Sequence, residues 1–329
     1  MPASLIDGFG RLHDSLRISV TDRCNIRCFY CMPDGLVSFE PRENLLSFEE
    51  IERFVQIAVS LGVSKIRLTG GEPLVRRDLP VLVRKLARIP GIRDLALTTN
   101  AVLLSAHAES LYDAGLRRLN VHLDTLDREK FRHITRRDDL PRVLEGLRIA
   151  KQTGFKIKIN IVAVKNLIEP DLVPMALFCR EQGFEPRFIE FMPLDSQHLW
   201  DRSKVLTADE IIRTLSQQVA PLEEIADRDH RAPATEYRWA DGNGGIGLIA
   251  SVTRPFCLNC NRLRLTSDGK LRYCLFAVEE TDVRDLLRAG TDAEIASALR
   301  ANVAAKWLGH EINSQRFVPP PRPMYSIGG

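Results

Sequence analysis

The run Arg23-Cys24-Asn25-Ile26-Arg27-Cys28-Phe29-Tyr30-Cys31 sets three thiols in a CxxxCxxC spacing near the start of the chain. A cubane iron–sulfur cluster has four irons to ligate, and three closely spaced thiolates hold only three, so the fourth iron keeps an open coordination position for chemistry. Electron-transfer clusters take four cysteines. The next one along this chain is Cys179, far away in the helical pattern Met175-Ala176-Leu177-Phe178-Cys179, which reads as a buried helix residue. A zinc site completed by a histidine, or a group of buried thiols, also fits the spacing.

Outward from the cysteines, short β-branched runs alternate with helical patterns: Leu16 to Val20, Lys65 to Leu68, Leu95 to Thr98, Leu119 to Leu123, Lys156 to Val164 and Arg187 to Met192. Six successive strand-then-helix units predict right-handed crossovers and a parallel α/β sheet. The helix after the cysteines carries Ser47 as N-cap, Glu50 three residues later, and Ile51, Phe54, Val55 and Ala58 on one face before Gly62 ends it. Such sheets bind ligands at the carboxyl ends of their strands. The cysteine loop follows strand one, and Gly70-Gly71-Glu72-Pro73 follows strand two.

Past about residue 220 the pattern changes to Gly-rich and polar segments, short extended runs, two helices near 282–289 and 292–307, and a proline-rich tail. We divide the chain into a barrel region, 1–220, and a C-terminal region, 221–329, that packs over the open part of an incomplete barrel. The chain of 329 residues, 44% hydrophobic and 27% charged, has the composition of a folded globular protein. No run is long and apolar enough for a bilayer span, and no signal-like start is present, so the expected compartment is the cytoplasm. Seven cysteines, six of them in two metal-like triplets, argue against a disulfide framework. A net charge of +3 is too small to imply nucleic-acid binding, so any anion site must come from local Arg and Lys placement.

The second triplet is Cys257, Cys260 and Cys274. Between them Arg262-Leu263-Arg264-Leu265 alternates, Ser267-Asp268-Gly269 turns, and Lys270-Leu271-Arg272-Tyr273 returns, a hairpin that brings Cys274 beside the CxxC. Period two puts Arg262 and Arg264 on one face. Structural zinc with His230 or His310 as fourth ligand and a second cluster both remain open. The recurrence of three cysteines rather than four favours a second open iron.

CxxxCxxC with an aromatic before the third cysteine resembles the radical S-adenosylmethionine (SAM) family. With GGEP, Arg187-Phe188-Ile189-Glu190-Phe191-Met192, the arginine-bearing hairpin and terminal Gly328-Gly329, the whole chain resembles the GTP 3′,8-cyclase family of molybdenum cofactor biosynthesis. The resemblance implies an incomplete (β/α)6 TIM-like barrel and two [4Fe–4S] clusters. One is held by Cys24, Cys28 and Cys31 with SAM on its open iron, the other by Cys257, Cys260 and Cys274 with the guanine of GTP on its own. It implies SAM contacts at Tyr30, Gly71 and Met192 at the end of strand six. GTP contacts are implied at Arg17, Arg67, Thr98, Lys158, Arg262 and Arg264, with Lys65 and Arg187 as helpers. It further implies a 5′-deoxyadenosyl radical, an external electron donor, a downstream cyclic pyranopterin monophosphate synthase, and a C-terminal tail inserted beside an arginine. A homodimer is left open, and no side chain stands out as a general base.

Two departures from the family pattern matter. Val121-His122-Leu123-Asp124 has histidine where the family has serine, so His122 either contacts SAM or only fills the barrel interior, the second being preferred. Asn100-Ala101 replaces Asn-Gly and removes freedom to adopt positive φ after strand three. The rival readings are a radical SAM peptide-modifying enzyme with an auxiliary cluster and a non-catalytic iron–sulfur electron carrier or metal-stabilised nucleic-acid-binding module.

Overall fold

The structure, a computed structural model, describes residues 4–195, 199–227 and 229–328. Six parallel strands follow one another across the sheet: β1 (Ser15–Ser19), β2 (Lys65–Thr69), β3 (Asp94–Thr99), β4 (Arg118–His122), β5 (Lys156–Ala163) and β6 (Glu185–Glu190). Between and after them run α1 (Phe48–Ser60), α2 (Leu79–Ala87), α3 (Leu104–Asp113), α4 (Arg128–Thr135), α5 (Leu140–Thr153), α6 (Leu172–Gln182) and α7 (Ala208–Gln218). Every second residue of β5 explains the layering. Ile157, Ile159 and Ile161 are buried toward the helices, while Lys158, Asn160 and Val162 alternate onto the concave face.

The cap on α1 forms as expected, with Ser47 Oγ accepting from Glu50 N and Glu50 Oε2 accepting from Ser47 N. Ile51, Phe54, Val55 and Ala58 are fully buried on the sheet, and Gly62 turns the chain away at φ 100°. This fixes where the cysteine loop leaves and rejoins the scaffold.

The C-terminal region extends the sheet at both edges. It contributes β7 (Leu222–Glu224), β8 (Thr235–Trp239), β9 (Gly245–Ile249), β10 (Arg262–Leu265), β11 (Lys270–Arg272) and β12 (Thr281–Asp282), with α8 (Arg284–Ala289), α9 (Asp292–Ala304) and α10 (Met324–Ile327). Strand β9 adds parallel to β6, and β10 adds parallel to β1, so the sheet runs β12-β11-β10-β1-β2-β3-β4-β5-β6-β9-β8-β7. Pairing on both flanks is more than the packing over an opening expected from the sequence. It also places the second cysteine hairpin next to β1. The two C-terminal helices are shorter than expected, α9 ending at Ala304.

Ala101 adopts φ +61° despite its side chain. The expectation that Ala forbids this conformation is corrected. Thr99 Oγ1 accepts from Ala101 N at 3.0 Å and Asn100 Oδ1 from Val102 N at 3.1 Å, and these bonds hold the turn against a cost of about 1 kcal/mol. Ala101→Gly is expected to stabilise the fold by about 1 kcal/mol. A lower urea midpoint for the variant would refute this account of the turn.

Candidate active site

One cavity at the carboxyl ends of the strands is lined by all six triplet cysteines. Cys24, Cys28 and Cys31 sit on the loop after β1. Cys257, Cys260 and Cys274 flank the β10–β11 hairpin, where Arg264 pairs with Arg272 and the Thr266–Gly269 turn closes as the sequence predicts. Burial pushes the Cys24 thiol up to about 12. Burial, then the neighbouring Cys28 and Cys24, pushes Cys31 well above the usual range. Cys260 differs: burial opposes its ionisation, but Arg262 and Lys306 hold it down at about 6. Thiolates are the ligand form, so Cys260 stands ready while Cys24 and Cys31 release their protons only as they take up metal.

Tyr30 is bracketed by a pair that period-two alternation on Val121-His122-Leu123-Asp124 puts on one side. Its hydroxyl donates to Asp124 Oδ2 at 2.5 Å and lies 2.5 Å from His122 Nε2. Burial and then the Asp124 carboxylate push the Tyr30 hydroxyl well above its ordinary range. Burial works against charge on His122, yet Asp124 and Cys28 outweigh it and hold the imidazole well above its usual value. His122 is therefore more than filler, which corrects the preferred expectation. It lines the cavity and fixes the tyrosine before the third cysteine.

The GGEP loop packs directly on the cysteine loop. Gly71 N donates to Thr21 O at 2.7 Å and Glu72 N to Arg23 O at 2.8 Å, and a Cβ on Gly71 would lie 2.5 Å from Arg23 O. The glycine is needed for this close approach. Glu72 accepts from Asn100 N, Thr99 Oγ1 and Leu74 N at 2.6, 2.7 and 3.0 Å, and burial still pushes its carboxyl up to about 7. Asn100 in turn donates to Asn25 Oδ1 at 2.8 Å, tying β3 to the cysteine loop. Sequence reading missed this brace.

Arg17 stands in register with Arg67 on one side and Arg264 on the other, a row of three guanidiniums across β2, β1 and β10. Burial, then Arg264, Arg67 and Arg262, pull the Arg17 pKa well below its usual value, and burial brings Arg67 and Arg264 to about 9. Such a row needs an anion. Among the described residues Arg67 Nε, Tyr273 OH and His310 Nδ1 are buried on this cavity without a hydrogen-bond partner. Arg264 Nη1 donates to Gly328 O at 2.7 Å, so the tail does reach the arginines. Gly329 lies outside the described residues.

Arg262 lines the cavity over the Phe256 ring at 4.5 Å, and Thr98 and Met192 line it too. Strand β6 ends at Glu190, so Met192 belongs to the loop beyond it rather than to the strand. Lys158 is not part of the lining; its Nζ binds Glu185 at 2.6 Å. Lys65 likewise pairs with Asp229 at 3.0 Å, whereas Arg187 lines the cavity while bound to Glu185 at 2.9 Å. His230 is absent from the lining and His310 is on it, its ring 5.1 Å from that of Phe276. Met324 and Tyr325 of α10 also face the cavity, with no signal in the sequence beyond their nearness to the Gly-Gly end.

Residues 18–179 match the Radical SAM superfamily, and residues 184–312 match Molybdenum Cofactor Synthesis C. Among solved structures the chain resembles Streptococcus suis SuiB bound to S-adenosylmethionine, at TM-score 0.60 and 17% identity over 88% of this chain and 69% of that one, a likeness that bears on the fold alone. Fold and cysteine loop together define a radical SAM protein, a class built on a [4Fe–4S] cluster and SAM. The chain is 50% identical to a GTP 3′,8-cyclase of Rhodopirellula baltica over 100% of its own length and 93% of that relative. It is 42% identical to one of Thermodesulfovibrio yellowstonii over 98% and 99%. The chain belongs to the GTP 3′,8-cyclase family.

Proposed function

We propose that this chain converts GTP to 3′,8-cyclo-GTP, the first step toward molybdopterin, binding SAM at Cys24, Cys28 and Cys31 and GTP between the arginine row and a second [4Fe–4S] cluster at Cys257, Cys260 and Cys274. The observation that carries this reading is the union of both triplets and three register-aligned arginines in one cavity. Among the described residues no three His, Cys, Asp or Glu groups converge on a single-ion position, and a cube of four irons is wider than one ion. When bound, cluster and SAM would supply, on one-electron reduction with release of methionine, a 5′-deoxyadenosyl radical able to take hydrogen from C3′ of GTP; C3′ would then bond to C8 of guanine, and a second electron and a proton would complete the product.

The protein's part is positioning. Tyr30, held by His122 and Asp124, and the Gly71 backbone shape the SAM side, with Met192 across from them. Arg17, Arg67, Arg262, Arg264 and Thr98 receive the triphosphate and ribose, and their fixed charge serves GTP without reorganising at the moment of reaction. Lys158 joins them by leaving Glu185. An external donor supplies the electrons, and a separate cyclic pyranopterin monophosphate synthase rearranges the product. We keep the division at 220, because β6 completes the parallel barrel strands and α7 still packs on α6. Among the described residues no helix is long and apolar enough to cross a membrane.

Anaerobic incubation of the reconstituted, reduced protein with SAM checks the reading. We expect 5′-deoxyadenosine to accumulate with GTP and to stay near background without it. Equal amounts in both arms would refute GTP as the substrate.

A further inference from the structure

Lys306, in the segment just after α9, is only 5% exposed. A buried ammonium is costly unless a negative group answers it. Its Nζ donates to the Arg262 carbonyl at 2.7 Å and to the sulfur of Cys260 at 3.5 Å. Among the described residues no carboxylate is paired with it, so the Cys260 sulfur is the group beside it that carries negative charge once it ligates metal. The position is built rather than accidental. Arg11, bound to Asp7 at 2.6 Å, sends Nη1 to Cys257 O and Leu308 O and Nη2 to Trp307 O, at 2.7, 2.7 and 2.5 Å. One guanidinium thus clamps the segment carrying Lys306 against the loop carrying two of the cysteines.

We infer that Lys306 is the charge partner of the second cluster, a positioning residue that donates a hydrogen bond to the Cys260 sulfur and raises that cluster's reduction potential. The inference rests on the two-cluster reading above. Hydrogen bonds to the sulfurs and local net charge are both levers on cluster potential. The substrate meets this cluster while the first must be reduced, so its potential bears on where an incoming electron comes to rest.

The test is an anaerobic redox titration of the full, reconstituted chain followed by electron paramagnetic resonance, taking as the second cluster the signal that GTP perturbs. In Lys306→Met the reduced-to-oxidised ratio of that cluster at fixed poise is expected to fall about tenfold, a shift of about 59 mV for one electron, while the first cluster's midpoint stays put. Lys306→Arg, which keeps charge and donor, is expected to restore most of it, which a purely structural role would not do. An unchanged second-cluster midpoint in Lys306→Met, with about eight irons per chain, overturns the inference and leaves the two-cluster reading standing. About four irons and one zinc in the unsubstituted protein overturns both.

Discussion

Arg17→Met is expected to make the ligand-free protein more stable and to weaken GTP binding at the same time. The two effects share one cause. Arg17 lies between Arg67 and Arg264 in a row of like charges, on strands that neighbour one another at about 4.8 Å. At an effective dielectric near 20, two unit charges repel by about 3 kcal/mol at about 5 Å and by about half that at about 10 Å, and Arg17 has an arginine in register on each side. Burial adds to the penalty. Removing the central guanidinium is expected to raise unfolding free energy by about 1–3 kcal/mol, since methionine keeps much of the packing volume. Loss of a charge-assisted contact to phosphate costs about 1.5–3 kcal/mol, which weakens GTP binding about 10- to 100-fold. Urea denaturation and equilibrium dialysis read the two signs separately. A variant less stable than its parent that still binds GTP normally would mean that Arg17 is an ordinary structural residue.

That trade explains which parts of the site the sequence reveals. Arg17 and Arg67 are legible because a charged residue at an inward strand position contradicts the apolar pattern on either side, and such local contradictions mark function. Their alignment with Arg264 is not legible. It depends on β10 pairing in parallel with β1, across more than two hundred residues of chain, and nothing local fixes which edge the hairpin takes. The family resemblance puts Lys158 among the GTP contacts, yet Glu185 on the adjoining strand holds its ammonium, a tertiary pairing no strand pattern encodes.

Local rules served best where the interaction was itself local. The Ser47 cap, the Ser267-Asp268-Gly269 turn and the six strands fall where propensity and period put them. At Ala101 the glycine rule failed, because two side-chain-to-backbone bonds from Thr99 and Asn100 outweigh the preference of one residue. His122 and Asp124 could have been joined on sequence by their spacing of two, which an extended chain running on past β4 puts on one side. Lys306 could not, since tertiary contacts, the Arg11 clamp and the Arg262 carbonyl among them, bring it to Cys260.

Gly328→Val is expected to cut turnover at least about 100-fold while moving global stability by less than about 1 kcal/mol. Gly328 has φ +89°, and a Cβ there would lie 2.7 Å from Ser19 Cβ and 2.8 Å from Thr69 Oγ1. Both the conformation and the space exclude a branched side chain. The chain escapes this strain by displacing the Gly328 end of the tail, which leaves the buried face of the barrel helices untouched. What withdrawal removes is functional geometry. Arg322 anchors the tail to Asp268 at 2.7 and 3.0 Å, Tyr325 offers its backbone to Cys31, and Gly328 O receives Arg264. The segment therefore runs from the first cysteine triplet to the arginine row, between the sites proposed above for SAM and GTP, and a displacement of about 1 Å in such positioning is enough to cost about 100-fold in rate. Residues appended after Gly329 are expected to act the same way. GTP-dependent 5′-deoxyadenosine formation measured beside thermal unfolding decides the matter: full turnover in Gly328→Val, or loss of turnover and fold together, would show that the tail is not a positioning element.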